Sequence, residues 1–540
     1  MADFSNKVIY QIYPKSFKDS NGDGIGDLRG VAEKLDYLKD LGVDYLWLTP
    51  FFVSPQRDNG YDVADYRNID PMFGTMEDLD NLIAEGEKRN IGLMFDMVFN
   101  HTSTSHEWFR RALAGEKKYQ DYYIFKEGAP DQPPTNWQSK FGGSAWEYVS
   151  SLGKWYLHLF DVTQADLNWK NPEVREELKE VIRFWKAKGV KGFRFDVVNL
   201  ISKPEIWEDD FEGGISGCFQ ELVRDTGIED YVTVGEMSST TLEHCIRYSG
   251  AEEKELSMCF NFHHLKVDYK DGNKWELMEP DYMELKVIFE KWQMGMQRGN
   301  AWNALFWCNH DQPRIVSRFG NEGEYWKESA KMLAGMIHLM RGTPYIYQGE
   351  EIGMTNPHYT SIEQYADVES RNYYEILLNE GKTKEEALEI LAARSRDNSR
   401  TPMQWTDERY CGFSDTKPWI PVSDNFEKIN VKKQKQDRDS ILEFYKKLIM
   451  LRKEKEVIAR GNIEFMEVEN AGVLAYTRCL DKQKLLVCCN FRDVESQMEF
   501  TQEWKSGRKI LGNYEENHKN NYKVLTLRPY EIIVLEKGEE

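Results

Sequence analysis

No run of about 20 apolar residues, the length a helix needs to span a bilayer, occurs in this chain. The opening MADFSNKVIY has no basic stretch followed by an apolar one, so no secretory leader is expected. The eight cysteines (Cys218, Cys245, Cys259, Cys308, Cys411, Cys479, Cys488 and Cys489) include no C-x-x-C pair. Several lie in apolar runs such as Val487–Cys489, which points to reduced, mostly buried thiols in a cytoplasmic protein. Asn100-His101-Thr102 matches a glycosylation sequon, an accidental match in an intracellular chain. Low-complexity tracts are lacking too, and positive charge is in short supply. Against 91 Asp and Glu stand 70 Lys and Arg, a formal net charge of −21. Such a field excludes non-specific binding to nucleic acid or an anionic membrane, and an anionic substrate would need a local basic pocket.

The 540 residues, 41% of them hydrophobic, suffice for a large core and more than one domain. Short apolar β-rich runs alternate with amphipathic helical stretches. Val8–Tyr13 reads as a strand, Leu28–Leu41 as a helix, Tyr45–Leu48 as a strand, Met76–Arg89 as a helix and Ile91–Val98 as a third strand. Later candidates are Gly192–Asp196, Tyr231–Val234, Leu256–Phe260, Ala304–Trp307 and Pro344–Tyr347. Eight strands alternating with helices is the count that closes a (β/α)₈ TIM barrel. A doubly wound open sheet is the alternative, weakened because no Gly-rich phosphate loop follows the first strand.

The rhythm breaks twice. Residues 102–170, rich in Trp, Tyr, Gly, Pro and Ser, read as a subdomain inserted in the third βα loop, and 350–410 as a second, partly helical insertion (Lys384–Arg394). The expected division is a barrel over 1–101 and 171–460, with Ser440–Lys453 as its last helix, the insertion at 102–170, and an antiparallel β domain over 461–540. In that last domain Ile463–Val468, Val473–Arg478, Lys484–Asn490, Val524–Leu527 and Ile532–Leu535 read as strands.

Barrel enzymes carry their chemistry at the C-terminal ends of the strands. There the third strand ends in Asp96-Met-Val-Phe-Asn100-His101, the fourth in Arg194-Phe-Asp196, the fifth in Gly235-Glu236, and the seventh is followed by Asn309-His310-Asp311. Glycoside hydrolysis needs one ionised and one protonated carboxyl group flanking the scissile bond. Arg194, two residues before Asp196 on one strand, faces the same side and is expected to hold that carboxylate ionised. Glu236, after an apolar strand and near other carboxylates, has the raised pKa of an acid. Asp311 is placed to hold sugar hydroxyls as positive charge develops on the ring.

These motifs resemble the α-amylase family of glycoside hydrolases, in its oligo-1,6-glucosidase branch. Gln164-Ala-Asp-Leu-Asn168 is similar to an extra motif of that family, with Ala165 where Pro is usual. The resemblance implies Asp196 as nucleophile, Glu236 as acid/base and Asp311 as transition-state stabiliser, with no cofactor for the chemistry. It implies His101, Arg194 and His310 as contacts of the non-reducing glucose, Tyr61 as its stacking platform, and Asp58 with Arg400 as a clamp closing the pocket for exo-action on short substrates. Val197, after the nucleophile position, is similar to α-1,6-type enzymes.

Within the branch, Ser257-Met-Cys-Phe-Asn-Phe-His263-His264-Leu-Lys266 is similar to the trehalose-6-phosphate hydrolases, as are Glu236-Met-Ser-Ser-Thr and Glu350-Glu-Ile-Gly-Met-Thr-Asn-Pro-His. A phosphate on the leaving glucose needs cations near the acceptor. His264, Lys266 and Lys274 are candidates, against the reading of a solvated Lys and a structural His pair. The implied reaction is hydrolysis of trehalose 6-phosphate to glucose and glucose 6-phosphate through a glucosyl–Asp196 ester. Alternatives are an oligo-1,6-glucosidase, a transglucosylating isomerase, and a non-catalytic binding subunit, which the retained carboxylates disfavour. A monomer or weak oligomer acting on a small sugar phosphate, with no nucleic-acid or membrane partner, is expected.

Asp19-Ser-Asn21-Gly-Asp23-Gly-Ile25-Gly-Asp27 alternates oxygen donors as a calcium loop does, but Gly30 stands where an EF-hand has Glu. The resemblance implies a structural calcium or magnesium ion held by Asp19, Asn21, Asp23, the Ile25 carbonyl and Asp27. The alternative is a Gly-rich turn braced by its own carboxylates.

Overall fold

A computed structural model describes residues 3–203, 218–252, 255–466, 468–499, 501–515 and 524–537. Eight parallel strands form its centre: β1 (Ile9–Ile12), β2 (Tyr45–Leu48), β3 (Gly92–Met97), β4 (Gly192–Phe195), β5 (Val232–Glu236), β6 (Met258–Phe260), β7 (Ala304–Leu305) and β8 (Thr343–Tyr347). They are bonded in the order β6-β5-β4-β3-β2-β1-β8-β7, and a parallel bridge between Cys259 and Asn303 joins the two ends into a barrel. The strands are buried on both faces, so they read as continuous apolar runs rather than alternating ones.

The helices that follow wrap the barrel: α1 (Leu28–Glu33), α2 (Leu35–Leu41), α3 (Met76–Lys88), α4 (Pro172–Ala187), α5 (Cys218–Thr226), α6 (Leu242–Ser249), α7 (Tyr282–Arg298) and α8 (Trp326–His338). Thr75 and Asp78 close α3 with a reciprocal capping box. Asn171 caps α4 ahead of Pro172, and Val174, Leu178, Val181, Ile182 and Trp185 line its buried face. The single helix expected over 28–41 is two helices, broken at Lys34 (φ −102°, ψ 5°). Gly30 lets α1 lie directly on the preceding loop, where a Cβ would stand 1.9 Å from the Lys18 carbonyl oxygen. Leu35, Leu38 and Leu41 anchor α2 to the barrel. One apolar stripe thus serves two supports, and the backbone bends between them.

Between β3 and α4, His101–Ser103 pairs antiparallel with Gln164–Asp166, placing the ends of the intervening segment side by side at the barrel rim. That segment holds a three-stranded sheet (Phe125–Glu127, Trp146–Val149, Lys154–Leu157) around Trp137, Trp146 and Trp155. After β8 comes α9 (Val368–Asn379), a helix beyond the expected Lys384–Arg394, and both pack on Trp275, Tyr359 and Tyr365. Helix α10 (Ile441–Glu454), capped by Ser440, completes the ring.

The C-terminal part holds β9 (Asn462–Met466), β10 (Val473–Leu480), β11 (Gln483–Asn490), β12 (Ser496–Glu499), β13 (Arg508–Gly512), β14 (Val524–Leu527) and β15 (Ile532–Lys537). Strands β12 and β13 had no alternating apolar run to announce them. The main sheet has the order β9-β10-β11-β15-β13, and β12 pairs with β14. Alternation divides its faces. Val473, Ala475, Leu486 and Cys488 pack on Met498, Leu525 and Leu527, while Leu474, Tyr476, Leu485 and Val487 join the barrel core. Among the described residues seven cysteines are free, six of them buried, and no helix is long and apolar enough to cross a membrane.

Buried hydrogen bonds join sheet to barrel at the end of α8. Arg478 donates to the carbonyls of Leu339 (2.6 Å) and Gly461 (2.7 Å), and Tyr476 to that of Met336 (2.7 Å), while nearby Arg452 on α10 donates to those of Ser5 (2.8 Å) and Gly342 (2.9 Å) within the barrel. The Met336 and Leu339 carbonyls are of the kind that a helix end leaves without partners. Arg478→Ala strips two buried carbonyls of their donor and should cost about 3 kcal/mol, read from the urea midpoint. A loss below about 0.5 kcal/mol would mean that the joint adds nothing.

Candidate active site

Strand register assembles the site. Arg194 on β4 lies directly beside Asp96 on β3, and Glu236 ends β5 one strand further on. The Arg194 guanidinium is fully buried. Its Nη1 donates to Asp96 Oδ1 (2.6 Å) and Asp196 Oδ1 (2.7 Å), and its Nη2 to Glu236 Oε2. Asp96 Oδ2 accepts from Trp47 Nε1 (3.1 Å) and Tyr61 Oη (2.9 Å). The rings of Trp47 and Tyr61 lie 5.1 and 5.8 Å from the guanidinium carbon. Three carboxylates and two aromatic rings thus offset the desolvation of one cation.

Asp196 and Glu236 are held by the two terminal nitrogens of one guanidinium, so the two carboxyl groups stand side by side at the rim. Burial raises the Asp196 carboxyl to about 7, with Arg194 opposing and Asp96 assisting. Burial raises Glu236 further, to about 8, with Arg194 opposing and Asp196 and Asp311 assisting. Arg194 was expected to keep Asp196 in the ordinary carboxylate range. Desolvation outweighs it, because the guanidinium is shared among three carboxyl groups. Asp311 moves the other way. Burial works against its ionisation, but His310, Arg396 and Arg400 hold it well below the carboxylate range. Val197, next to Asp196, takes the left-handed conformation (φ 35°, ψ 44°), rare for a β-branched residue, and its carbonyl accepts from Leu200 N–H (2.8 Å).

These groups face a cavity of about 390 Å³. Tyr61, Asp58, His101, Phe160 and Arg396 are among its lining residues. The Tyr61 ring is stacked on that of His310 (5.0 Å, 2°). Gln11 Nε2 lies 2.8 Å from His310 Nδ1, which leaves the proton on Nε2, and that nitrogen lies 3.2 Å from Asp311 Oδ2. His101 Nε2 donates to the Tyr61 carbonyl (3.0 Å), and burial lowers both histidines, to about 4 for His101 and about 3 for His310. Asp58 accepts from Arg396 Nη2 (3.0 Å) and Gln164 Nε2 (3.1 Å). Arg400, expected to clamp the glucose together with Asp58, donates to Asp311 Oδ1 (2.7 Å) and the His310 carbonyl (2.8 Å). It reaches the centre from beneath because it is wholly buried, and Arg396 occupies the outer position.

Lysines line the same cavity. Lys140, Lys274, Ser238, Ser239 and Glu369 are in its wall, and Lys266 Nζ donates to Ser239 Oγ (3.0 Å). Lys274 pairs with Glu369 (2.8 Å). His264, expected here, is sealed from the cavity. Its Nε2 donates to the Phe306 carbonyl (2.9 Å), its ring packs on Phe289, Phe306 and Trp307, and burial lowers it to about 4. Gln164 opens the extra motif noted in the sequence, whereas Lys140, Arg396 and Glu369 carry no individual signal there. The two arginines four residues apart in Ser395-Arg-Asp-Asn-Ser-Arg400 were the available hint.

The loop after β1 is braced by its own side chains. Asp19 accepts from the N–H groups of Asn21 (3.0 Å), Gly22 (2.7 Å) and Gly24 (2.8 Å), Asn21 from Asp23 N–H (2.9 Å), and Asp23 from Ile25 N–H (2.8 Å). Asp27 caps α1. Among the described residues no three His, Cys, Asp or Glu side chains are grouped to hold a metal. The donor set itself, all hard oxygens, fits calcium or magnesium.

Residues 11–461 match the family model for the α-amylase catalytic domain, and residues 463–534 that for the maltogenic amylase C-terminal domain. The chain is 52% identical to trehalose-6-phosphate hydrolase of Escherichia coli, over 98% of each chain. It is 45% identical to oligo-1,6-glucosidase of Bacillus cereus, also over 98% of each. The crystal structure of Bacillus licheniformis trehalose-6-phosphate hydrolase superposes with a TM-score of 0.94 at 49% identity, covering 99% of this chain and all of that one. With its fold and its whole length matched in this way, the chain belongs to the α-amylase family of glycoside hydrolases.

Proposed function

We propose that the chain hydrolyses trehalose 6-phosphate to glucose and glucose 6-phosphate with retention. The observation that carries this reading is one cavity lined both by the carboxylates Asp58, Asp196 and Asp311 and by Lys140 and Lys274, with Lys266 held behind its Ser239. In a chain of net charge −21, lysines brought to the wall of the cavity are the local exception that a phosphate requires. The glucose to be cleaved sits against Tyr61 and Asp58, with its anomeric carbon at Asp196. Glu236 gives its proton to the bridging oxygen while Asp196 attacks, forming the glucosyl ester and releasing glucose 6-phosphate. Glu236, now ionised, takes a proton from water, which attacks the ester and frees glucose and Asp196. Asp311, ionised throughout, steadies the positive charge on the ring. Because a sugar phosphate does not cross a membrane unaided, the reaction belongs in the cytoplasm, carried out by a monomer or weak oligomer. A calcium or magnesium ion would brace the loop of Asp19, Asn21, Asp23, the Ile25 carbonyl and Asp27 without entering the chemistry.

Glucose release from equal concentrations of trehalose 6-phosphate, trehalose and isomaltose tests the substrate. The phosphorylated sugar should win by at least about 100-fold, and Lys266→Ala should erode that preference while sparing p-nitrophenyl α-glucoside. A preference for isomaltose would make the chain an oligo-1,6-glucosidase. Asp196 must be ionised and Glu236 protonated, so kcat/KM should fall as the pH drops through about 7 and again as it rises through about 8. Glu236→Gln should lose the alkaline limb, and Asp196→Asn should fold yet turn nothing over. Calcium added to chelator-treated protein should raise Tm by a few degrees, roughly 4 °C. No change would leave the loop as a self-braced turn.

A further inference from the structure

Asp367 touches no part of the cavity and is completely buried, at 0% exposure. It caps α9, and its Oδ2 is held by the N–H (2.9 Å) and Oγ (2.8 Å) of Ser370. Its Oδ1 is left for two guanidinium groups. Arg396 reaches it through Nε (3.0 Å) and Nη2 (2.5 Å), and Arg400 through Nη1 (3.3 Å). Each arginine then donates to a carboxylate that lines the cavity. Arg396 takes Asp58 (3.0 Å) and lies 3.4 Å from Asp311, and Arg400 takes Asp311 (2.7 Å).

We propose that Asp367 is a positioning residue that aims Arg396 and Arg400, and through them fixes Asp58 and Asp311 for the glucose to be cleaved. Two guanidinium groups so close repel each other. A single carboxylate oxygen shared by both cancels that repulsion at the one point from which both forks open toward the cavity. Ser370 keeps the carboxylate from turning. Asp367 therefore belongs functionally to the glucose seat, although it comes from the insertion after β8 and lies behind the cavity wall. This inference rests on the glucose seat proposed above.

Calorimetric titration with 1-deoxynojirimycin, a glucose-shaped iminosugar, separates positioning from damage, because misfolding lowers the stoichiometry and misaim raises Kd. The unaltered chain should bind one equivalent. Asp367→Asn, which keeps shape and loses charge, should weaken Kd roughly 10- to 100-fold at unchanged stoichiometry. Its kcat/KM for p-nitrophenyl α-glucoside and for trehalose 6-phosphate should fall by the same factor, since both place glucose in the same seat. If Asp367→Asn does not fold, Ser370→Ala, which keeps the charge and removes one restraint, should weaken Kd about threefold. Wild-type Kd in the folded variants would overturn the role of Asp367. Failure of the unaltered chain to bind the iminosugar would overturn the glucose seat itself, and with it this inference.

Discussion

One buried guanidinium holds the rim of the barrel together. Arg194 contacts carboxyl groups from three adjacent strands, Asp96, Asp196 and Glu236, in a place from which its own side chain is excluded from water. Without a cation there, three carboxyl groups so close together could not ionise in turn, and desolvation would leave them protonated and inert. A lysine would serve less well, because its single ammonium could shed a proton when buried and has no fork to span neighbouring strands. The parallel register makes this bridge. Arg194 stands level with Asp96, and two residues per pleat bring Asp196 to the same face. Charge shared in this way leaves Asp196 and Glu236 close to neutrality, with Glu236 the higher, the order that acid catalysis requires.

The barrel supplies the reacting groups, and the two insertions supply the walls. Gln164 and Phe160 come from the segment between β3 and α4, and Arg396 and Glu369 from the segment after β8. The strand pair that begins at His101 and ends at Asp166 ties the first insertion to the rim. Two charge systems therefore meet at Asp311. One runs from Arg194 through the catalytic pair, and the other from Asp367 through Arg396 and Arg400. A strand end alone leaves a carboxylate exposed to water. Asp311 instead lies between cations from both sides and stays ionised at pH values where Asp196 and Glu236 take up protons.

Periodicity carried most of the fold. The eight barrel strands were legible because burial on both faces demands continuous apolar runs, and the helices because a single buried stripe recurs every three or four residues. The catalytic carboxylates were legible for a related reason: a polar residue at the end of an apolar strand is conspicuous. Strands β12 and β13 were not legible, because neither is apolar enough to stand out from a loop, and the break at Lys34 was hidden because both halves share one stripe.

By itself the chain's sequence determined the barrel, the rim on which Asp196, Glu236 and Asp311 stand, and the acidity that makes a basic pocket conspicuous. Each follows from local pattern, or from composition. Tertiary structure decided which long side chains reach the cavity. It put Arg396 on Asp58 and Arg400 on Asp311, turned His264 into the core, brought Lys140 from another segment, and gave Asp196 a pKa that its neighbour Arg194 alone would not predict. Those outcomes depend on direction and desolvation, which are properties of surroundings drawn from distant parts of the chain and have no signature in the residues next door.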